Sequence, residues 1–120
     1  MGSIGRGNYR KLYVWTKSDE LTRRVFHLTR TFPSHERFEM TSQLRRAVLS
    51  VTLNIVEGAS RIHKKEFKHF LNIALGSLAE TEYLIDLSET LGYMDLSYRD
   101  ELQGLRDETG RLLWGLIRSL

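Results

Sequence analysis

Apolar residues fall into four runs along the chain, each with helical spacing. In the first, Val14, Ser18, Leu21, Val25, Leu28 and Phe32 recur at steps of three and four, the period that lines one face of an α-helix. Pro33 is the only proline. It has no N–H to give a helix and restricts the residue before it, so the first helix stops near Phe32 and residues 33–40 form a connection. The second run carries Leu44, Ala47, Val48, Val51, Ile55, Ala59 and Ile62 on one face. With Thr41 or Ser42 as its cap, it predicts a helix over about 42–60. A basic joint at 61–65 leads to the longest run, Phe67, Phe70, Leu71, Ala74, Leu78 and Ile85, ending near Leu91 with Gly92 as a left-handed cap. Asp95 and Ser97 are candidate caps for the last helix, which has Leu102, Leu105, Leu112, Leu116 and Leu120 on one stripe and Asp100 and Glu101 in its first turn. Short connections favour antiparallel neighbours, hence an all-α, up-down four-helix bundle at 11–120, preceded by a flexible, glycine-rich tail over 1–10.

Two of the helices carry more apolar surface than one bundle covers. At about 100° per residue, Leu49, Leu53 and Val56 form a second stripe on helix two, and Ile73, Leu84, Leu87 and Leu91 a second stripe on helix three. Helix two keeps a narrow polar strip of Gln43, Arg46, Ser50, Asn54, Glu57 and Arg61, with Arg45 beside Leu49 and Val56. A helix that is apolar on two sides is normally buried on two sides, and in a chain this short the second cover is most simply another copy, the alternative being a fourth helix lying across both stripes within one subunit. Covering one medium-sized apolar side chain contributes about 1.5–3 kcal/mol, so seven left in water would be a solubility problem. This predicts a homo-oligomer with Arg45, Arg46, Leu49, Leu53, Val56, Ile73, Glu80, Leu84 and Leu87 at the subunit interface.

Composition narrows the chemistry. The 120 residues contain no cysteine, which removes disulfides, thiolate metal sites and cysteine nucleophiles and fits the cytoplasm. No apolar run approaches a membrane span, and the N-terminal stretch lacks the apolar core of a signal peptide. Among the four histidines, His63 and His69 stand six apart, where a helical ligand pair needs three or four, and His27 and His35 lie elsewhere, so no metal site is expected. Ser50 and Ser77 have no histidine at helical contact spacing, and no catalytic set or cofactor emerges. An enzyme built on Glu57 or Glu80 is the least supported reading. Glu80 is expected to pair with Arg45 or Arg46, Gly76-Ser77 to form a small-residue notch between helices, and Trp15 and Trp114 to pack in the core or an interface.

Charge is unevenly placed. Residues 1–69 carry 14 Lys/Arg against 6 Asp/Glu, and residues 70–120 carry 4 against 9. Either the basic and acidic helices attract one another within or between subunits, or the cations Lys11, Lys17, Arg23, Arg24, Arg30, Arg61, Lys64, Lys65 and Lys68 form a face for RNA or DNA.

The run QLRRAVLSVTLNIVEGASR at 43–61, with Phe32-Pro33 and Glu36 before it and Phe67, Phe70-Leu71, Ala74, Gly76-Ser77 and Glu80 after it, resembles the four-helix-bundle proteins encoded by intervening sequences of 23S ribosomal RNA genes. The likeness covers about 12–118. Those proteins in turn resemble the accessory variability determinant of diversity-generating retroelements, a pentameric barrel that binds nucleic acid and a reverse transcriptase. The resemblance implies a homopentameric barrel of four-helix subunits and a nucleic-acid-linked scaffold. It departs at Thr52, where the family often has proline, and at Val56, where it often has alanine, which implies a straighter and more crowded second helix. A protein-interaction adaptor that docks an acidic partner is the rival expectation.

Overall fold

Each periodic run folds as a helix in the computed structural model, which describes residues 8–120. The helices are α1 (Tyr13–Leu28), α2 (Met40–Ala59), α3 (Lys64–Thr90) and α4 (Leu96–Ser119), with no strand among the described residues. Residues 1–7 of the expected tail lie outside the described residues. Residues 8–10 belong to a 3-10 turn, Asn8–Lys11, in which the Tyr9 ring packs 5.1 Å from Trp15.

Most helix ends have the causes read from the sequence. After Leu28 the chain tightens into a 3-10 turn, Thr29–Thr31, and becomes extended at Phe32 before Pro33. At the end of α3, Gly92 has φ +82°, a conformation costly for any residue with a Cβ. Its N–H donates to the Glu89 carbonyl (2.9 Å) and the Tyr93 N–H to that of Ser88 (2.8 Å), the paired closure of a Schellman turn. Asp95 caps α4 by accepting the Tyr98 N–H at 2.8 Å, and Ser97 lies inside the helix. The start of α2 corrects the expectation: Glu39 is the cap residue and makes no side-chain cap bond. Met40 is buried and anchors the first turn, while Thr41 faces the core.

Pairs across each seam fix the topology. Thr22 meets Thr52 and Thr29 meets Arg45 between α1 and α2. Ser50 meets Ser77, and Gly58 lies against Phe67 and Phe70, between α2 and α3. Asp86 meets Gln103, and Glu82 meets Arg106, between α3 and α4. Lys17 meets Glu108 and Arg24 meets Glu101 between α1 and α4. In each seam one number rises as the other falls, so the neighbours are antiparallel and the four helices close an up-down ring. α2 runs unbroken through Thr52.

Leu21, Val25, Leu44, Val48, Val51, Ile55, Leu71, Ile85, Leu102 and Leu113 are fully buried at the centre. Hydroxyls share this core because they bond back to their own helix: Thr29 to Val25, Thr81 to Ser77 and Thr109 to Leu105, each at 2.8 Å. Two expectations are corrected. Ile62 is 92% exposed because α2 ends at Ala59. In α4 the deepest positions are Leu102, Thr109 and Leu113, while Leu105, Leu112 and Leu116 are half-buried.

The antiparallel ring brings the 3-10 turn before α1, the joint between α2 and α3, and the last turns of α4 to one end of a body 48 Å long.

Candidate functional site

The outer face of α2 and α3 holds much of the sequence-predicted interface. Ser50 and Ser77 approach to 2.8 Å. Gly58 lets the α3 phenyl rings close in, since a Cβ there would lie 2.9 Å from Phe67 Cδ1 and 3.0 Å from Phe70 Cβ. Gly58 is thus the close-approach glycine. A Cβ on Gly76 would meet nothing within 4 Å, so the expected notch at Gly76-Ser77 reduces to Ser77. With this seam shut, Leu49, Leu53 and Ile73 stand exposed at 38%, 54% and 40%. Val56 is half-buried, and Leu84 and Leu87 are half-buried against the core.

Arg46 and Glu80 line one groove of about 260 Å³ together with Gln43, Ala47, Ser50 and Leu84. They make no salt bridge with each other there. Arg45 turns the opposite way. It donates to Thr29 Oγ1 (2.8 Å) and the Phe26 carbonyl (3.2 Å), with its guanidinium 4.9 Å from the centre of the Phe26 ring. The expected Glu80–Arg45 pair is therefore corrected: the side of α2 that carries Arg45 faces α1, and Glu80 belongs to α3.

The predicted cations separate into two groups. Lys17 and Arg24, seven residues apart on one stripe of α1, face the α4 acids Glu108 and Glu101. Lys17 pairs with Glu20 at 3.3 Å and Glu108 at 3.5 Å, and Arg24 holds Glu101 with two nitrogens. The hydrogen bond from Arg24 keeps the Glu101 carboxyl below the usual glutamate range, while those to Glu20 and Glu101 raise Lys17 and Arg24. Arg23 pairs with Asp19 at 2.9 Å, and Arg61 pairs with Glu57 and lies 4.8 Å from the centre of the Phe70 ring. Arg30, Lys64, Lys65 and Lys68 are exposed and form no salt bridge among the described residues.

Three of these last four stand in the opening turns of α3. Its cap residue, His63, makes no side-chain cap bond, and Glu66 is the one acid of the first turn. A helix N-terminus already carries partial positive charge, so Lys64, Lys65 and Lys68 add like charge where the backbone least tolerates it. A groove of about 380 Å³ at this joint is lined by Arg61, Lys65, Glu66, His69 and Phe70. Arg10 and Lys11 before α1 and Arg118 in the last turn of α4 share the same end.

Trp15 is half-buried against the core, whereas Trp114 is 51% exposed in the α3–α4 seam. The signal for this is the spacing of Arg111, Trp114 and Arg118 on one helix face. Among the described residues no group of three or more His, Asp or Glu is placed to hold a metal ion, and no helix is long and apolar enough to cross a membrane.

A family model described as 23S rRNA-intervening sequence protein matches residues 10–115. The fold is similar to a crystal structure of a protein with unknown function from the S23 ribosomal protein family of Bacteroides thetaiotaomicron VPI-5482, with a TM-score of 0.81 and 28% sequence identity over 88% of this chain and 95% of that one. No curated protein matches the sequence.

Proposed function

The chain belongs to the 23S rRNA-intervening sequence protein family, and from that premise we propose that it is a non-enzymatic, cytoplasmic, homo-oligomeric scaffold, pentameric by the resemblance, that binds nucleic acid through its basic end. The observation that carries this reading is the placing of Lys64, Lys65 and Lys68 in the opening turns of a 27-residue helix with no side-chain cap. Their charge opposes the helix dipole and is not neutralised as that of Lys17 and Arg24 is. A phosphate at such a helix start meets backbone N–H groups and lysines together, and so relieves the repulsion. Oligomerisation is supported by the exposed Leu49, Leu53 and Ile73. A ring of copies would repeat the basic end and add weak contacts through multivalency.

Ile62, 92% exposed beside these lysines, favours a second reading, an adaptor that docks an acidic protein partner. Light scattering tests the assembly, and a clean monomer at micromolar concentration overturns it. A mobility shift with structured RNA and with duplex DNA at two salt concentrations separates the functions. The scaffold reading expects a shift that weakens steeply with salt. No shift at low salt leaves the adaptor.

A further inference from the structure

A groove of about 930 Å³ lies between α3 and α4, within the range of clefts that accept small ligands. Leu75, Leu78, Gly110 and Trp114 supply its apolar lining, and Arg106 and Asp107, paired with each other, also border it. A Cβ on Gly110 would lie 3.4 Å from Leu78 Cδ2, in ordinary van der Waals contact. Arg111 and Arg118, three residues before and four after the tryptophan, lie along the same groove and form no salt bridge among the described residues. Lys68, seven residues before Leu75 on the same face of α3, continues the line of positive charge to the basic end.

An exposed indole between two unneutralised guanidinium groups, over an apolar floor, has the parts of a single-strand platform: an aromatic face for a base and cations for the phosphates on either side. We propose that this groove holds an unpaired base of a single-stranded nucleic acid, stacked on Trp114, with the adjoining phosphates on Arg111 and Arg118. The inference rests on the nucleic-acid reading above and deepens it. The basic joint supplies sequence-independent attraction, and the Trp114 groove supplies preference for single strands over duplex. A second copy of the chain or an acidic peptide are the other occupants the groove could take.

The test uses the 120-residue chain and two probes, an oligouridine strand and a duplex of equal length. Trp114→Ala should weaken oligouridine binding by about 5- to 140-fold, the range for loss of one stacked base, and leave duplex binding unchanged. Trp114→Phe, which keeps a ring, should recover most of the loss. In a Trp15→Phe background, oligouridine should quench the Trp114 fluorescence. If Trp114→Ala binds oligouridine like the parent while both probes still bind, the groove assignment falls and the basic-end reading stands. If neither probe binds the parent at low salt, both fall. If Trp114 is already shielded from acrylamide in the protein without nucleic acid, another copy covers it and the proposal is overturned; an acidic peptide that binds and is lost in Trp114→Ala, with oligouridine inert, overturns it too.

Discussion

Thr22 on α1 and Thr52 on α2 are both buried, with their hydroxyl oxygens 2.9 Å apart. The Thr22 hydroxyl also lies 2.8 Å from the Ser18 carbonyl and donates to it. A hydroxyl has one proton to give, so Thr52 is the donor to Thr22, and the two helices are joined by a directed chain rather than by apolar contact alone. Thr52→Val removes the outer link and leaves Thr22 satisfied, which should cost about 0.5–1.5 kcal/mol. Thr22→Val strands the buried Thr52 hydroxyl and should cost about 1–3 kcal/mol. The double variant should cost less than the sum of the two. Urea unfolding of the four proteins completes the cycle, and strictly additive losses would mean that the hydroxyls do not interact.

Two glycines inside helices should respond to alanine with opposite signs. At Gly58 the new methyl would meet a ring carbon, a Cβ and, 3.2 Å away, the Phe67 carbonyl oxygen. Backbone cannot swing aside as a side-chain tip can, so Gly58→Ala should destabilise by about 1–3 kcal/mol. At Gly76 nothing lies within 4 Å, and Gly76→Ala should stabilise by about 0.5–1 kcal/mol through helix propensity. Thermal or urea melts decide both. A neutral Gly58→Ala would mean that α2 and α3 can part at that point without loss.

The helices were legible because a three-and-four residue period survives whatever the helix packs against. Legibility ended where polar atoms enter the core. Thr109 satisfies its hydroxyl within α4 at the Leu105 carbonyl, so a residue that reads as surface sits at the centre beside Leu113, and the leucine stripe taken from the sequence is rotated away from the true inner face. The charge asymmetry between the halves was also legible, but not which cations α4 would neutralise. Spacing assigns Lys17 and Arg24 to one stripe; only the ring closure shows that α4 covers that stripe, and that Lys64, Lys65 and Lys68 are left over. Arg45 and Arg46 are adjacent in sequence, and the turn of the helix sends them to different seams.

A charge on the outer face of α2 should divide assembly from folding. Leu53 is 54% exposed, so Leu53→Glu should leave a single bundle within about 0.5 kcal/mol of its parent. An assembly that buries Leu53 against another copy would then face an unpaired buried carboxylate. Light scattering should show the mass falling to that of one chain, with the circular dichroism of a four-helix protein retained. An unchanged assembly would move the interface off this face.

Acid should loosen the α1–α4 seam through Glu101. The Arg24 hydrogen bond lowers its pKa below the usual value, so the folded chain holds this proton less readily than the unfolded one. The sign follows: the contribution to stability is complete above the unfolded glutamate range, near about 4.3, and is lost as pH falls through the lowered native value. Glu101→Gln should therefore flatten the acid limb of stability against pH without altering it near neutrality in shape. In a carboxyl-resolved NMR titration, Arg24→Ala should move the Glu101 midpoint back up, and a midpoint that does not move would remove Arg24 as the cause.

The lysines at the start of α3 should oppose folding and favour binding. Lys64 and Lys65 sit in the first turn of α3, at the positive end of the helix dipole, where like charge costs about 0.3–1 kcal/mol at low ionic strength, and Lys68 lies just beyond it. Replacing Lys64, Lys65 and Lys68 by glutamine should therefore raise the melting temperature, most clearly in low salt. The same variant should bind single strands more weakly. If all three lysines contact phosphate, the slope of log affinity against log salt should become shallower by about 2 for each engaged subunit. A variant that melts lower than its parent and keeps the full salt slope would make these lysines ordinary surface charge and move the nucleic-acid contact elsewhere on the bundle.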